Sequence, residues 1–430
     1  MNSTARHYRL KCQDCEASLV DNGLILECPN EHSPALLISD YNGAGLTFDS
    51  EAEGLYRYRR WLPIVRELKG AGRTVTYRSE RLSRITELPH LWIAFNGYWP
   101  ERGAALETAT FKELEAYSVL ARLTREQPGI LVVASAGNTA AAFASACSKN
   151  KIACLIIIPE SGLHRLQYPG PLDPRVKIVS LTGFTDYYDA ITLAERVSRQ
   201  DGFIAEGGVK NVGRRDGLAT TMLNAVERIE RIPEYYFQAV GSGSGAIAVH
   251  EAAKRLIRDG RYGRSLPRLM LSQNLPFAPM YFSWKSGRRD LINIGADESK
   301  KQIQQIAAQV LSNRKPPYSI RGGVFDALKE SQGDMLVADN REALAAKQLF
   351  EEAEGIDLDP ASGVTFATLL KASRSGQIKH EATVLLHITG GGWRRSQLDR
   401  KLIPLRADLQ VAENEISSER TLEKITQLFK

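Results

Sequence analysis

Short apolar runs alternate with amphipathic stretches over most of the chain. The runs are continuous rather than alternating in polarity, which is typical of strands buried on both faces of a sheet. They predict strands at 130–134, 153–158, 176–181, 235–240 and 383–388. The stretches between them predict helices at 140–149, 186–199 and 246–258. This order predicts an α/β fold built on parallel sheets that helices cover on both faces.

Composition narrows the class of protein. The 430 residues are enough for two or three domains, and 43% apolar with 25% charged residues is ordinary for a soluble protein. A net charge of +6 without a basic block argues against a nucleic-acid partner and suits small anionic substrates. No apolar run approaches a bilayer span, the N-terminus lacks a signal-peptide core, and five cysteines argue against a disulfide scaffold. We therefore expect a cytoplasmic protein that does not bind membranes.

Two turns that follow predicted strands have residues suited to anions, because ligands of such sheets bind at the carboxyl ends of strands. Residues 135–139 (SAGNT) place Asn138 and free backbone N–H groups at a helix start, where a substrate carboxylate could bind. Residues 241–245 (GSGSG) expose glycine N–H groups and two hydroxyls, which suits a phosphate group. The second turn is not a full dinucleotide fingerprint, since Ala246 occupies the third glycine position. Each turn could also be a simple connection.

A lysine and a late glycine-rich turn complete the candidate chemistry. Residues 110–113 (TFKE) fit a capping box with Thr110 as N-cap, so Lys112 is predicted in the first turn of a helix. The helix dipole disfavours a cation there, and a neutral amine is what condensation with an aldehyde requires. Residues 389–392 (TGGG) end the last strand, and Thr389 offers a neutral hydroxyl beside glycines that let a flat ligand approach. Lys112 could instead be an ordinary solvated lysine.

These four features, in this order, resemble the fold-type II pyridoxal-phosphate enzymes of the tryptophan synthase β-subunit superfamily. Within it the chain resembles threonine synthase and its paralogue in methanogenic archaea, cysteate synthase. The resemblance implies that Lys112 binds pyridoxal 5′-phosphate covalently, that Asn138 contacts the cofactor 3′-oxygen and that Thr389 serves the pyridine nitrogen. It also implies cofactor and substrate contacts from these further residues: Gly241, Ser242, Gly243, Ser244, Gly245 for the phosphate and Ser135, Thr139 for the substrate.

The same resemblance implies a domain arrangement. It predicts two doubly wound, mostly parallel-sheet domains: a large cofactor-binding domain from residues 41–112 and 205–430, and a small mobile domain from residues 113–204. A short zinc-ribbon-like segment, residues 1–40, precedes them. The family also leads us to expect a homo-oligomer.

Two departures from the threonine synthase pattern narrow the resemblance. Lys112 is followed by Glu-Leu-Glu instead of Asp-Arg-Gly, and the segment 212–217 (VGRRDG) also differs. The first run resembles cysteate synthase, which implies β-replacement of the phosphate of O-phospho-L-serine by sulfite, giving L-cysteate for coenzyme M biosynthesis. Because both substrates are anions, these cations are candidates for binding them: Lys210, Arg214, Arg215 and Arg165.

Two alternatives remain open at this point. A threonine synthase would share the cofactor but act on O-phosphohomoserine with water. A nucleotide-binding regulatory module that uses the 241–245 turn would hold no pyridoxal phosphate at all.

The N-terminal segment has three thiols and an imidazole with spacing similar to that of a zinc ribbon. Cys12 and Cys15 form a C-x2-C pair, and Cys28 and His32 follow at a looser spacing than in a standard knuckle. The loose spacing favours a ribbon that has lost its metal over one that binds zinc, and both remain open. The flanks lack the basic patch of a nucleic-acid-binding ribbon.

Overall fold

The structure is a computed structural model that describes residues 6–125 and 129–430. Its strands, in chain order, are β1 Arg9–Cys12, β2 Ser18–Leu19, β3 Leu37–Asp40, β4 Val75–Arg78, β5 Leu91–Phe95, β6 Tyr98–Trp99, β7 Ala104–Ala105, β8 Ile130–Ala134, β9 Cys154–Pro159, β10 Gln167–Tyr168, β11 Val176–Thr182, β12 Phe203–Ala205, β13 Tyr235–Ala239, β14 Arg268–Asn274, β15 Asp334–Ala338, β16 Val384–Ile388, β17 Ile403–Pro404 and β18 Leu409–Ala412.

The α-helices are α1 Glu80–Thr86, α2 Lys112–Arg122, α3 Asn138–Asn150, α4 Tyr187–Val197, α5 Val212–Ile229, α6 Ser244–Asp259, α7 Pro279–Lys285, α8 Ala296–Gln305, α9 Val324–Glu330, α10 Asn340–Glu354, α11 Pro360–Arg374, α12 Trp393–Arg400 and α13 Glu419–Gln427. In the described part of the chain, none of these helices combines the length and the apolar character that crossing a bilayer requires.

The larger sheet has the strand order β15-β14-β13-β16-β5-β4. Its strands are parallel except β4, which pairs antiparallel with β5 at one edge. Successive side chains of β13 enter different cores: Tyr236 packs in the core that includes α5 and α6, whereas Phe237 packs in the core that includes α10 and α11. Burial on both faces explains the continuous apolar runs at 235–240 and 383–388, so the predicted parallel α/β arrangement is confirmed.

The smaller sheet, β12-β8-β9-β11-β18, is parallel throughout. Its strands β8, β9 and β11 match the predicted runs, and α3 and α4 pack on opposite faces. Its edge strand β18 comes from near the end of the chain, a segment that the predicted division assigns with residues 205–430 to the large domain. The run LQVA is too short and too polar to predict a strand, which is why β18 was missed. The predicted domain division otherwise stays a prediction.

The N-terminal segment forms a three-stranded antiparallel sheet, β2-β1-β3. It is joined to α2 and α5 by buried contacts rather than lying apart. Arg122, at the end of α2, donates to both carboxylate oxygens of Asp21 and to the carbonyl of Ile25. The ribbon-like segment is therefore anchored to the helix that begins at Lys112.

Candidate active site

One cavity is lined by Lys112 and by residues of all three candidate turns. It lies at the carboxyl ends of β8, β13 and β16, where the two sheets approach each other. Its lining residues are Phe111, Lys112, Ser135, Ala136, Gly137, Asn138, Thr139, Tyr187, Arg214, Gln238, Ala239, Val240, Gly241, Ser242, Gly243, Ser244, Gly245, Val310, Leu311, Asn313, Ala361 and Thr389. Turns that are far apart in sequence meet here because parallel strands end at one edge of each sheet.

Lys112 is the first residue of α2, and its Nζ lies 3.1 Å from Oε2 of Glu115. Burial lowers the pKa of the amine, and the charge of Arg214 lowers it further while Glu115 opposes both. The pKa of Lys112 is thus lowered, as its place at the helix start predicts, but burial is the main cause. A partly desolvated lysine with a lowered pKa is suited to act as a nucleophile toward an aldehyde.

The predicted capping box at the start of α2 is wrong. The hydroxyl of Thr110 is buried without a hydrogen-bond partner, and Glu113 accepts instead from the backbone N–H and hydroxyl of Thr108. The reason is tertiary: Thr110 forms an antiparallel bridge with Gly390, and Phe111 N–H donates to the carbonyl of Thr389 at 3.0 Å. This bridge fixes the helix start against the late glycine turn.

The 135–139 turn presents Asn138 to the cavity and uses its neighbours for structure. The hydroxyl of Ser135 accepts from the N–H groups of Gly137 and Ala140, at 3.0 and 2.9 Å, and so holds the start of α3. The hydroxyl of Thr139 donates to Oε1 of Glu115 at 2.8 Å. Within the described part of the chain the side-chain amide of Asn138 has no hydrogen-bond partner. Asn138 is therefore the side chain of this turn without a hydrogen bond to the rest of the described chain, whereas Ser135 and Thr139 also line the cavity and their substrate contacts stay a prediction.

The 241–245 turn is a cradle of bare backbone at the start of α6. Gly243 has φ +80°, and a Cβ there would lie 2.3 Å from Cγ2 of Val324. The hydroxyls of Ser242 and Ser244 lie 3.0 Å apart at the rim. A phosphate group would meet backbone N–H groups, two hydroxyls and the positive end of a long helix. These residues fit the phosphate of pyridoxal phosphate.

Thr389 follows the end of β16, lines the same cavity and is 7% exposed. Its hydroxyl is 3.4 Å from Oγ of Ser362, which itself donates to the carbonyl of Gly390 and accepts from the N–H of Gly390. Ser362 thus fixes the glycine turn and leaves Thr389 facing the cavity. A neutral hydroxyl in this position fits a pyridine nitrogen.

Only one of the four candidate cations lines this cavity. Arg214 donates to Oε1 of Glu115 at 2.7 Å and to Oε1 of Glu206 at 3.0 Å. Burial alone would lower its pKa, but these two carboxylates outweigh burial and raise it. Arg214 is therefore a charged group whose charge is already balanced.

The other three candidate cations lie outside the cavity. Arg215 is fully buried behind it and pairs with Glu251 at 3.1 Å. Lys210 pairs with Glu27 at the rim of an adjoining groove, and Arg165 pairs with Asp359 at 2.7 Å beside another groove. Arg214 and Arg215 diverge because consecutive helical residues point about 100° apart, so one of them faces the cavity and the other the core.

Sequence reasoning missed several residues of the site, and two of them bear directly on its chemistry. Glu115 is fully buried and contacts Lys112, Thr139 and Arg214. Its spacing of three from the lysine places it on the same helical face, a signal that could have found it. Gln238 lines the cavity from the apolar strand β13, where a single polar residue in an otherwise apolar run was the available signal.

The N-terminal thiols and imidazole converge. The ligand atoms of Cys12, Cys15, Cys28 and His32 all lie within 4.8 Å of one another. Sγ of Cys15 is 3.7 Å from Sγ of Cys28, and Sγ of Cys12 is 3.4 Å from Nε2 of His32. The other ring nitrogen of His32 lies 2.7 Å from the carbonyl of Ser33, which leaves Nε2 free to bind a metal.

Comparison with known proteins agrees with this geometry. Residues 68–390 match the family model described as pyridoxal-phosphate dependent enzyme. Cysteate synthases of Methanocella paludicola and Methanosphaerula palustris are 44% and 46% identical, covering 96% and 94% of this chain and the same shares of their own. A cysteate synthase of Methanosarcina acetivorans is 42% identical and covers 95% of this chain and 98% of its own.

Solved structures show the same fold at low sequence identity. The processed threonine deaminase isoform 2 of Solanum lycopersicum has a TM-score of 0.56 at 17% identity, covering 93% of this chain and 98% of its own. A pyridoxal 5′-phosphate-dependent aspartate racemase has a TM-score of 0.57 at 16% identity, covering 74% of this chain and 90% of its own.

Proposed function

Because the chain belongs to the cysteate synthase family of pyridoxal-phosphate dependent enzymes, we propose that it converts O-phospho-L-serine and sulfite into L-cysteate and phosphate. Such a reaction serves coenzyme M biosynthesis. The observation that carries the proposal is the single cavity in which Lys112 meets the 241–245 cradle, Asn138 and Thr389.

Pyridoxal phosphate, when bound, supplies an electron sink for charge that develops at the substrate Cα. The chain provides the groups that hold it: Lys112 for the aldehyde carbon, the 241–245 turn for the phosphate and Thr389 for the pyridine nitrogen. Nζ of Lys112, once free, removes the Cα proton as general base. Oε2 of Glu115, 3.1 Å away, accepts a hydrogen bond from that nitrogen in its protonated form.

The replacement balances without a redox partner. Removal of the Cα proton allows the Cβ–O bond of O-phosphoserine to break, and phosphate leaves with the bonding electrons. Sulfite then forms the Cβ–S bond with its sulfur lone pair, and the proton returns to Cα from Lys112. The N–H groups at the start of α3 are suited to hold the substrate carboxylate throughout, and Asn138 is suited to contact the cofactor 3′-oxygen.

The test is product analysis of the purified enzyme loaded with cofactor. We expect O-phosphoserine with sulfite to give cysteate and phosphate in equal amounts, and Lys112→Ala to give neither. Lys285→Ala is the matched control and should retain the reaction, because Lys285 is an exposed lysine that pairs with Asp334 and does not line the cavity. Formation of threonine from O-phosphohomoserine, with no cysteate from O-phosphoserine, would favour the threonine synthase alternative. A protein without the visible absorbance of the cofactor would favour the nucleotide-binding alternative.

A second proposal concerns the N-terminal cluster: Cys12, Cys15, Cys28 and His32 bind one zinc ion. With Zn–S bonds of about 2.3 Å, a tetrahedral site requires sulfurs about 3.8 Å apart. The 3.7 Å separation of Cys15 and Cys28 agrees with that geometry. This convergence favours zinc binding over the metal-free ribbon, although the spacing in the sequence had favoured the reverse.

Metal analysis by mass spectrometry tests the zinc proposal. We expect about one zinc per chain in the purified protein and a large loss of zinc in Cys28→Ser. Cys147→Ser is the control because Cys147 is a buried thiol of α3, remote in sequence from the cluster. Equal zinc content in all three proteins would contradict the proposal, and so would absence of zinc after growth in zinc-supplemented medium.

We also propose that the enzyme acts in the cytoplasm as a homo-oligomer on small anions, without nucleic acid or membrane partners, and that residues 113–204 form a mobile small domain. The modest net charge of +6 supports the choice of small partners. Light scattering on the purified protein measures the oligomeric mass, and a mass near 47.7 kDa would contradict the oligomer.

A further inference from the structure

The side-chain oxygen of Gln238 has a hydrogen-bond partner within the described residues, and its amino group does not. It lies on β13 at 2% exposure and lines the cavity. Its Oε1 accepts from the hydroxyl of Tyr236 at 2.7 Å, whereas its Nε2 has no hydrogen-bond partner in the described part of the chain. A Cβ built on Gly245 would lie 2.6 Å from Nε2, so the free amino group lies against the 241–245 turn. An amino group that faces the cavity from a largely buried side chain is placed to donate a hydrogen bond to a ligand bound there.

This amide is the end of a buried series of hydrogen-bonded neutral side chains. The hydroxyl of Tyr236 lies 2.6 Å from Nδ1 of His387, and Nε2 of His387 lies 2.8 Å from Nδ2 of Asn96. Oδ1 of Asn96 in turn accepts from the hydroxyl of Thr74 at 2.7 Å. All five side chains are no more than 2% exposed, so water does not compete for these bonds.

The hydrogen bonds of this series all run in one donor-to-acceptor direction, which fixes how Gln238 faces the cavity. Since Asn96 accepts from Thr74 through oxygen, its amino group donates to Nε2 of His387. The Nδ1–H of His387 then donates to Tyr236, and Tyr236 donates to the oxygen of Gln238. Only the amino group of Gln238 remains for the cavity.

This direction requires a histidine with one proton. Burial lowers the pKa of His387 to about 3, and the charge of Lys112 acts in the same direction. The ring is therefore neutral at physiological pH and can donate at one nitrogen while accepting at the other.

We propose that Gln238 is a further ligand of the cofactor phosphate, with Tyr236 and His387 as positioning residues that hold its amino group toward the 241–245 turn. This proposal rests on the proposed cofactor site. A phosphate only accepts hydrogen bonds when fully ionised, so it requires donors on every side. The turn supplies backbone N–H groups and hydroxyls from one side, and Gln238 supplies a donor from the strand beneath.

The test compares binding of two ligands to the cofactor-free enzyme: pyridoxal 5′-phosphate and pyridoxal, which lacks the phosphate. For Gln238→Leu we expect pyridoxal phosphate to bind about 10- to 100-fold more weakly, the size of one hydrogen bond to a charged group. The affinity for pyridoxal should stay unchanged. Gln238→Glu, which places an acceptor against the phosphate, should weaken pyridoxal phosphate binding at least as much.

Gln273→Leu is the matched control. Gln273 is a fully buried glutamine on the neighbouring strand β14 whose Nε2 also lacks a partner, but it does not line the cavity. We expect its affinity for both ligands to match the wild type. The melting temperatures of the cofactor-free variants show whether each one is folded.

Tyr236→Phe tests the positioning role, because it removes the hydroxyl that fixes the amide and leaves the amide itself. We expect a smaller loss, about 3- to 10-fold for pyridoxal phosphate alone, within the range of one neutral hydrogen bond. Equal losses for pyridoxal and pyridoxal phosphate, or no loss in Gln238→Leu, would overturn the proposal. Wild-type enzyme that binds no pyridoxal phosphate would instead refute the proposed function itself.

Discussion

The ion pair between Asp21 and Arg122 is the contact whose loss should most weaken the attachment of the N-terminal segment. Both side chains are at most 1% exposed, and the two carboxylate oxygens accept at 2.9 and 2.8 Å. Asp21→Asn keeps the shape but leaves the guanidinium as a buried charge without its counter-ion. Removing one partner of such a pair costs about 3–5 kcal/mol in the free energy of unfolding.

The same pair predicts a pH dependence. Burial would raise the pKa of Asp21, but the bonds from Arg122 outweigh burial and lower it. An acid with a lowered folded pKa stabilises the fold above its unfolded pKa of about 4, and that stabilisation is lost as pH falls through the folded value. The difference between wild type and Asp21→Asn should therefore be largest near neutral pH and shrink in acid.

Urea unfolding followed by tryptophan fluorescence measures this difference at several pH values. Replacing both residues, in Asp21→Leu with Arg122→Leu, should cost less than Asp21→Asn, since the guanidinium of Arg122 is then not left buried without its counter-ion. A loss below about 1 kcal/mol in Asp21→Asn at pH 7, or a loss that grows in acid, would refute the reasoning.

Three further changes test the site and its surroundings. Gly243→Ala should weaken pyridoxal phosphate binding at least about tenfold in an absorbance titration, because φ is +80° and the Cβ would meet Val324 at 2.3 Å; unchanged affinity would contradict the cradle. Burial raises the pKa of Glu113 to about 7. The free energy of unfolding of the wild type, measured in urea, should therefore fall by about 3 kcal/mol relative to that of Glu113→Gln as pH rises from about 4.5 to 7. A fall in the opposite pH direction would contradict this prediction. Glu27→Ala should change stability by less than about 1 kcal/mol in the same assay, because its pair with Lys210 is largely exposed; a larger loss would contradict that view.

The strands were predictable where burial on both faces leaves a continuous apolar run, as in β8, β9, β13 and β16. The turns were predictable because glycine and small polar residues mark strand ends. Tertiary contacts decided what failed. Thr110 fits a cap in sequence, yet its backbone pairs with Gly390, and no local pattern contains that pairing.

The sequence could not identify which cations face the cavity, for a different reason. Sequence can propose a charge for an anionic substrate, but it does not show whether a carboxylate already balances that charge. Arg214 and Arg215 looked equivalent as neighbours. The structure separates them by helical phase and gives each its own acidic partner, Glu115 with Glu206 for the first and Glu251 for the second.

The two segments that depart from the threonine synthase pattern, after Lys112 and at 212–217, are joined by one contact in the structure. Oε1 of Glu115 from the first segment accepts from NH1 of Arg214 in the second at 2.7 Å, and its Oε2 holds Nζ of Lys112. The amine of Lys112 must lose its proton to react, and the buried carboxylate of Glu115 would then have no positive partner. Arg214 is the second cation that keeps this carboxylate paired. The segment Glu-Leu-Glu and the arginine of α5 are therefore a matched set. A change to either one alone would alter the charge beside the amine that carries the chemistry, which gives the two departures a common physical reason.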